Sequence, residues 1–178
     1  MIFNKIDSFQ KKELSFLIGK KILQIFTQGG GIILSNPVEL SSGNDFFFYF
    51  QAKYNDSYFL KIFFDQKLFS MIKSEKFNLE LEKINFPKID FNKYHCAISF
   101  RETFSLKSIK IFNWLLERDP NPSICYLHSL VFVAESGDFI IVSKDESPHS
   151  FTIKYNDNSF LEKLLNNSFE VDHINKNQ

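Results

Sequence analysis

The sequence predicts an α+β protein, a mostly antiparallel β-sheet with an N-terminal helix and a short C-terminal helix. Two hairpin patterns carry this prediction, one over 46–64 and one over 124–144. Each has two apolar runs, rich in aromatic or β-branched residues, on either side of a short polar turn. A helical pattern near each end of the chain completes the prediction. We assign the 178 residues to one α+β domain, 1–178, because that length fits a single core.

The two helices are predicted from capping residues and apolar spacing. The first covers 7–18, begins at an Asp-Ser pair and ends before Gly19. The second covers 158–166, where Ser159 and Glu162 have the spacing of a capping box. The apolar side of the first helix is predicted to contain Phe9, Leu14, Phe16, Leu17 and Ile18, and that of the second Leu161, Leu164 and Leu165.

Strand patterns fill most of the remaining chain. They cover 20–27, 32–34, 38–40, 77–82, 94–104, 109–112 and 151–154. Hairpin 46–64 is apolar on both faces, which favours a central place in the sheet. A short helix is expected around Leu68, Met71 and Ile72, a loop at 119–123, and a frayed end at 170–178.

A weak pseudo-repeat of 20–64 and 106–144 is an alternative to a single sheet without duplication. Each half begins with a Lys-x-x-x-Ile-Phe strand and contains a hairpin whose first strand ends in alanine. Because similarity at this level can arise between any two β-meanders, the undivided sheet is the main prediction.

Composition points to an ordinary soluble protein of the cytoplasm. The chain has 23 Phe but only three Ala, and the simplest explanation is an A/T-rich gene that uses Phe and Ile as core residues. No apolar signal sequence and no run long enough to span a membrane are present. The two cysteines, Cys96 and Cys125, have no disulfide pattern, which favours a reducing compartment.

The zero net charge hides a division of charge along the chain. Residues 1–110 hold 16 Lys and Arg against 11 Asp and Glu, whereas residues 111–178 hold 5 against 10. The favoured interpretation is that the two halves attract each other within one fold. The alternative is an acidic face offered to a basic partner.

No constellation of catalytic or metal-binding residues emerges, so we expect a non-enzymatic protein without a cofactor. Cys125 and His128, with His95 and Cys96, are the only ligand-like set, but they lie within strand patterns rather than on knuckles. Neither cysteine accompanies an oxyanion-forming loop, and the 29–31 glycine cluster lacks a phosphate-binding pattern. Nucleic-acid binding is disfavoured, because the chain has only two Arg and no RNA-recognition signature.

Binding to another protein is therefore the function that we favour after these exclusions. Acidic residues in or beside predicted loops are the candidate contacts. They are Asp119, Glu135, Asp138, Asp145, Glu146 and Asp157.

Two segments resemble the small bacterial immunity proteins of contact-dependent growth-inhibition systems. They are Leu17-Ile-Gly-Lys-Lys-Ile22 and the hairpin from Ser129 to Val142, which precedes a short final helix. The resemblance implies a cytosolic inhibitor that binds one cognate toxin domain, often a nuclease, and blocks its active site. It implies no particular site residues, and the net neutrality departs from the acidic balance expected of a nuclease inhibitor.

A ligand- or lipid-binding module is the alternative function. It would use the Phe-rich hairpin 46–64, and it requires a large apolar cavity. The cavity would lie beneath Phe46, Phe48, Tyr58 and Leu60.

Overall fold

The computed structural model describes residues 2–3, 8–28, 32–33, 38–42, 45–51, 57–64, 77–83, 94–116, 124–144 and 151–175. Two helices and twelve strands are formed within these ranges. In chain order they are β1 Ile2–Phe3, α1 Ser8–Leu17, β2 Lys21–Gln28, β3 Ile32–Ile33, β4 Val38–Ser42, β5 Asp45–Gln51, β6 Ser57–Phe64, β7 Phe77–Lys83, β8 Tyr94–Leu116, β9 Ile124–Ala134, β10 Phe139–Lys144, β11 Phe151–Tyr155, α2 Asn158–Asn167 and β12 Ser168–Asn175.

The strands form one mostly antiparallel sheet, which confirms the predicted α+β class. Their order is β3-β4-β11-β10-β9-β8-β2-β5-β6-β7. Strand β12 pairs with β8 on the side that β9 leaves open, and the short β1 runs parallel to β9. Consecutive strands are therefore mostly neighbours, as expected for chain segments joined by short turns.

Both predicted hairpins are confirmed, and they occupy different places in the sheet. Phe48 of β5 lies opposite Leu60 of β6, and Val131 of β9 lies opposite Ile141 of β10. The second hairpin occupies the middle of the strand order, whereas β5 and β6 lie between β2 and β7, and β7 is the last member. Both strands of hairpin 46–64 therefore have a neighbouring strand on each side, as predicted for a strand pair away from the sheet edge, but the hairpin lies nearer one end of the order than the second hairpin does.

Strand β8 is a single long strand where two shorter ones were predicted. Its first half pairs with β2 and its second half with β9. The register with β9 shifts between Leu106 and Ser108, so Lys107 is an extra residue, a β-bulge. Phe104 and Leu106 before the bulge and Ile109 and Ile111 after it consequently face the same interior, although strict alternation would separate them.

The sheet curls around a large apolar interior. Strand β4 comes into contact with β2, although four strands separate them in the sheet order. Across the space between, the ring centroids of Phe100 in β8 and Tyr155 in β11 are 5.8 Å apart. The fully buried members of this interior include Leu14, Ile22, Ile25, Leu60, Leu106, Ile109, Leu130, Phe132, Ile140, Phe151 and Ile153.

The two helices cover opposite faces of the sheet. Helix α1 contributes Leu14 and Leu17 to the interior cluster. Helix α2 places Leu164 in a separate cluster with Phe112 and Ile141, which point outward because they alternate with interior residues along their strands. The C-terminal part of the sheet is thus covered by a helix on each side.

Several detailed expectations need correction. The end of the chain does not fray from residue 170, since β12 continues to Asn175 and pairs with β8. No capping box forms from Ser159 and Glu162, because Asp157 caps α2 instead. Phe9, Phe16 and Leu165, assigned to apolar helix sides, are exposed. The expected helix at Leu68–Ile72 and the loop 119–123 lie outside the described residues.

The strand connections also bear on the proposed pseudo-repeat. In the sheet, β2-β5-β6 and β8-β9-β10 each run as three antiparallel neighbours in chain order. Strands β8, β9 and β10 follow one another directly in the chain, whereas β3 and β4 come between β2 and β5 and lie at the other end of the strand order, so the two sets are not connected in the same way. Duplication of 20–64 and 106–144 therefore stays a prediction.

Candidate partner-binding surface

Three of the six predicted contact residues come together at one end of the sheet. The turn 135–138 between β9 and β10 lies beside Asn156 and Asp157, which lead from β11 into α2. We call these residues, 135–138 with 156–157, the acidic corner. It contains Glu135, Asp138 and Asp157, whereas Asp119, Asp145 and Glu146 lie outside the described residues.

Asn156 fastens the two parts of the acidic corner to each other. Its backbone has φ 53°, a left-handed conformation that asparagine tolerates better than most residues. In that conformation its side-chain oxygen accepts from the Phe139 N–H at 2.7 Å, and its Nδ2 donates to Asp138 Oδ1 at 2.8 Å. The Asn156 N–H also donates to the Phe139 carbonyl at 3.0 Å. Hydrogen bonds from the side chain and the backbone of Asn156 therefore hold the turn 135–138 beside the start of α2.

Asp157 is committed to the start of α2. One carboxylate oxygen accepts from the Phe160 N–H at 2.9 Å and from Ser159 Oγ at 2.8 Å, and the other lies 3.4 Å from Lys154 Nζ. Burial raises the pKa of Asp157, but these hydrogen bonds and the lysine charge outweigh it, and the net pKa is lowered. The side chain is therefore an anion that works as a cap, and it offers little to an outside partner.

Glu135 and Asp138 are the accessible carboxylates of the corner. Hydrogen bonds from Ser136 and Asn156 lower the pKa of Asp138 and so favour its ionised form. The side chain of Glu135 is exposed, and its N–H donates to the Ser105 carbonyl at 2.9 Å. That bond joins the turn to β8.

Ion pairs join the two oppositely charged halves of the chain. Lys11 of α1 pairs with Asp172 of β12, and Lys110 of β8 pairs with Glu170 of β12 at 3.5 Å. Each pair links a lysine of the basic half to a carboxylate of the acidic half. The opposite charges of the two halves therefore partly neutralise each other within the fold, as expected from the favoured interpretation.

His128 is largely but not completely buried, next to the fully buried Ser129. The β8–β9 register shifts beside it, between Leu127 and Ser129, and its Nδ1 lies within hydrogen-bond distance of Ser129 Oγ. Burial lowers the His128 pKa from 6.5 to about 4. Ser129 is completely buried, so this Ser–His contact offers no nucleophile to a substrate. No group of three His, Cys, Asp or Glu suited to a metal occurs among the described residues.

Of the four side chains beneath which a ligand cavity was expected, the structure describes that of Leu60. Leu60 is completely buried and belongs to the interior cluster with Phe104 and Ile22. The side chains of Phe46, Phe48 and Tyr58 lie outside what the structure describes. Nothing within the described residues favours the ligand-binding alternative.

Helix α1 carries an exposed aromatic surface that the sequence reasoning missed. Phe9 is 68% exposed and Phe16 is 45% exposed, although both were assigned to the core side. The Lys20 ammonium stands 3.7 Å from the centroid of the Phe16 ring. The available signal was the spacing of the residues: Phe9 and Phe16 are seven apart, and each lies about 80° or more around the helix from Leu14 and Leu17.

Comparison with known proteins identifies no relative, because no family model, curated protein or solved structure matches the chain. Neither of the helices that the structure describes is long and apolar enough to cross a membrane. The class of protein that can be stated is therefore the one its fold defines, an α+β protein with a curled, mostly antiparallel sheet.

Proposed function

We propose that this protein is a cytosolic, non-enzymatic immunity protein of a bacterial contact-dependent growth-inhibition system. In this role it binds a cognate toxin domain, a nuclease being the first candidate, and blocks the active site. The observation that carries the proposal is the acidic corner, where Asn156 holds the turn of Glu135 and Asp138 against the start of α2. Preorganised anionic groups suit a protein partner, because little ordering is required on binding.

The chemistry of a nuclease explains why carboxylates would inhibit it. A nuclease binds a polyanion and must present basic side chains to the phosphates. Asp138, whose carboxylate is held by Ser136 and Asn156, and the exposed Glu135 place negative charge on the turn, and these carboxylates can occupy those phosphate positions. Asp157 supports the corner as a cap rather than as a contact.

Binding to the toxin domain encoded by the neighbouring gene tests the proposal. We expect the purified domain to bind this protein in titration calorimetry, and co-expression to protect cells from the toxin. Glu135→Lys should weaken binding by about tenfold or more, since like charges across an interface repel. The variant should also lose protection.

Glu170→Lys is the matched control for that substitution. Glu170 lies on β12 opposite Phe112, six residues along β8 from Leu106, or about 20 Å at a rise of roughly 3.3 Å per residue. It should bind like the wild-type protein. Absence of binding by the wild-type protein would overturn the proposed function, and equal loss in both variants would place the contact away from the corner.

A further inference from the structure

We draw no further inference here: the strongest candidate, the exposed aromatic side of helix α1 with Phe9 and Phe16, carries none, because nothing within the part of the chain that the structure describes shows what covers it.

Discussion

His128 makes the stability of this fold sensitive to acid, because its ring is buried and neutral in the folded protein. Burial lowers its pKa from 6.5 to about 4, whereas the solvated ring of the unfolded chain keeps the ordinary value. Between those two values the unfolded chain binds a proton that the folded chain does not, so the free energy of unfolding falls as the pH falls. Since each pKa unit corresponds to about 1.4 kcal/mol, the loss across this window is about 3 kcal/mol.

Removal of the ring isolates this effect. We expect urea unfolding of His128→Gln to show a much flatter dependence on pH between 6.5 and 4 than that of the wild-type protein. His173→Gln is the matched control, because the His173 side chain is 42% exposed. It removes an imidazole without altering the site of His128, so the difference between the two variants reports on the buried ring.

Protonation of Asp138 and Asp157 contributes little to the change in the free energy of unfolding expected between pH 6.5 and 4. The pKa values of Asp138 and Asp157 are lowered from 3.8, so the stability they contribute is lost only as the pH falls below that value. Curves for wild type and His128→Gln that stay parallel from pH 6.5 to 4 would refute the buried, neutral histidine.

Three further substitutions test the packing and the acidic corner. Asp157→Ala should lower the free energy of unfolding by about 2 kcal/mol, since it removes the cap of α2 and the carboxylate beside the half-buried Lys154. Asp157→Asn, which keeps an acceptor, should lower it less. Asn156→Ala should be about 1 kcal/mol less stable than Asn156→Gly in denaturant titrations, because both lose the side-chain bonds but only alanine is strained at φ 53°. Leu164→Ala should cost about 3 kcal/mol by thermal or urea unfolding, whereas Leu165→Ala, 51% exposed, should stay within about 0.5 kcal/mol of wild type. Equal effects at 164 and 165 would contradict the assigned orientation of α2.

Regular local patterns account for the parts of the fold that sequence predicts well. Both hairpins and both helices are short segments rich in apolar residues, and each is bounded by a turn or capping signal, so their bounds are nearly right. Gly19, for example, has φ 82° and ends α1 where a residue with a side chain would be strained. Such signals are local, and no distant contact is needed to interpret them.

The failures occur where the pattern is broken or where a partner strand is remote. Lys107 shifts the phase of β8, so Phe104 and Ile109 share a face that no fixed period of two would give them. Strand β12 alternates Phe169 and Val171 with Glu170 and Asp172, a signal that could have been found. The strand with which β12 pairs, β8, lies more than fifty residues earlier in the chain. Because β12 lies at the C-terminal end of the sequence, a frayed end was predicted there instead.

The candidate site was only partly within reach of sequence reasoning. Loop acidity located Glu135 and Asp138, but it could not distinguish them from Asp157, whose carboxylate is occupied by the helix cap. Asn156, which joins the two segments, carries no charge and was not considered. Its role depends on a left-handed backbone and on the Phe139 N–H seventeen residues away, neither of which a pattern of residue types specifies.

The division of charge along the chain takes on a more specific meaning in the folded protein. The pairs Lys11–Asp172 and Lys110–Glu170 neutralise part of each half inside one fold. Backbone hydrogen bonds place the exposed Glu135 of the acidic turn on one side of Ser105 and Leu106, and Lys20, just beyond the end of α1, on the other. A partner that covers both must match charge of both signs. Its binding should therefore weaken with added salt, even though the protein as a whole is neutral.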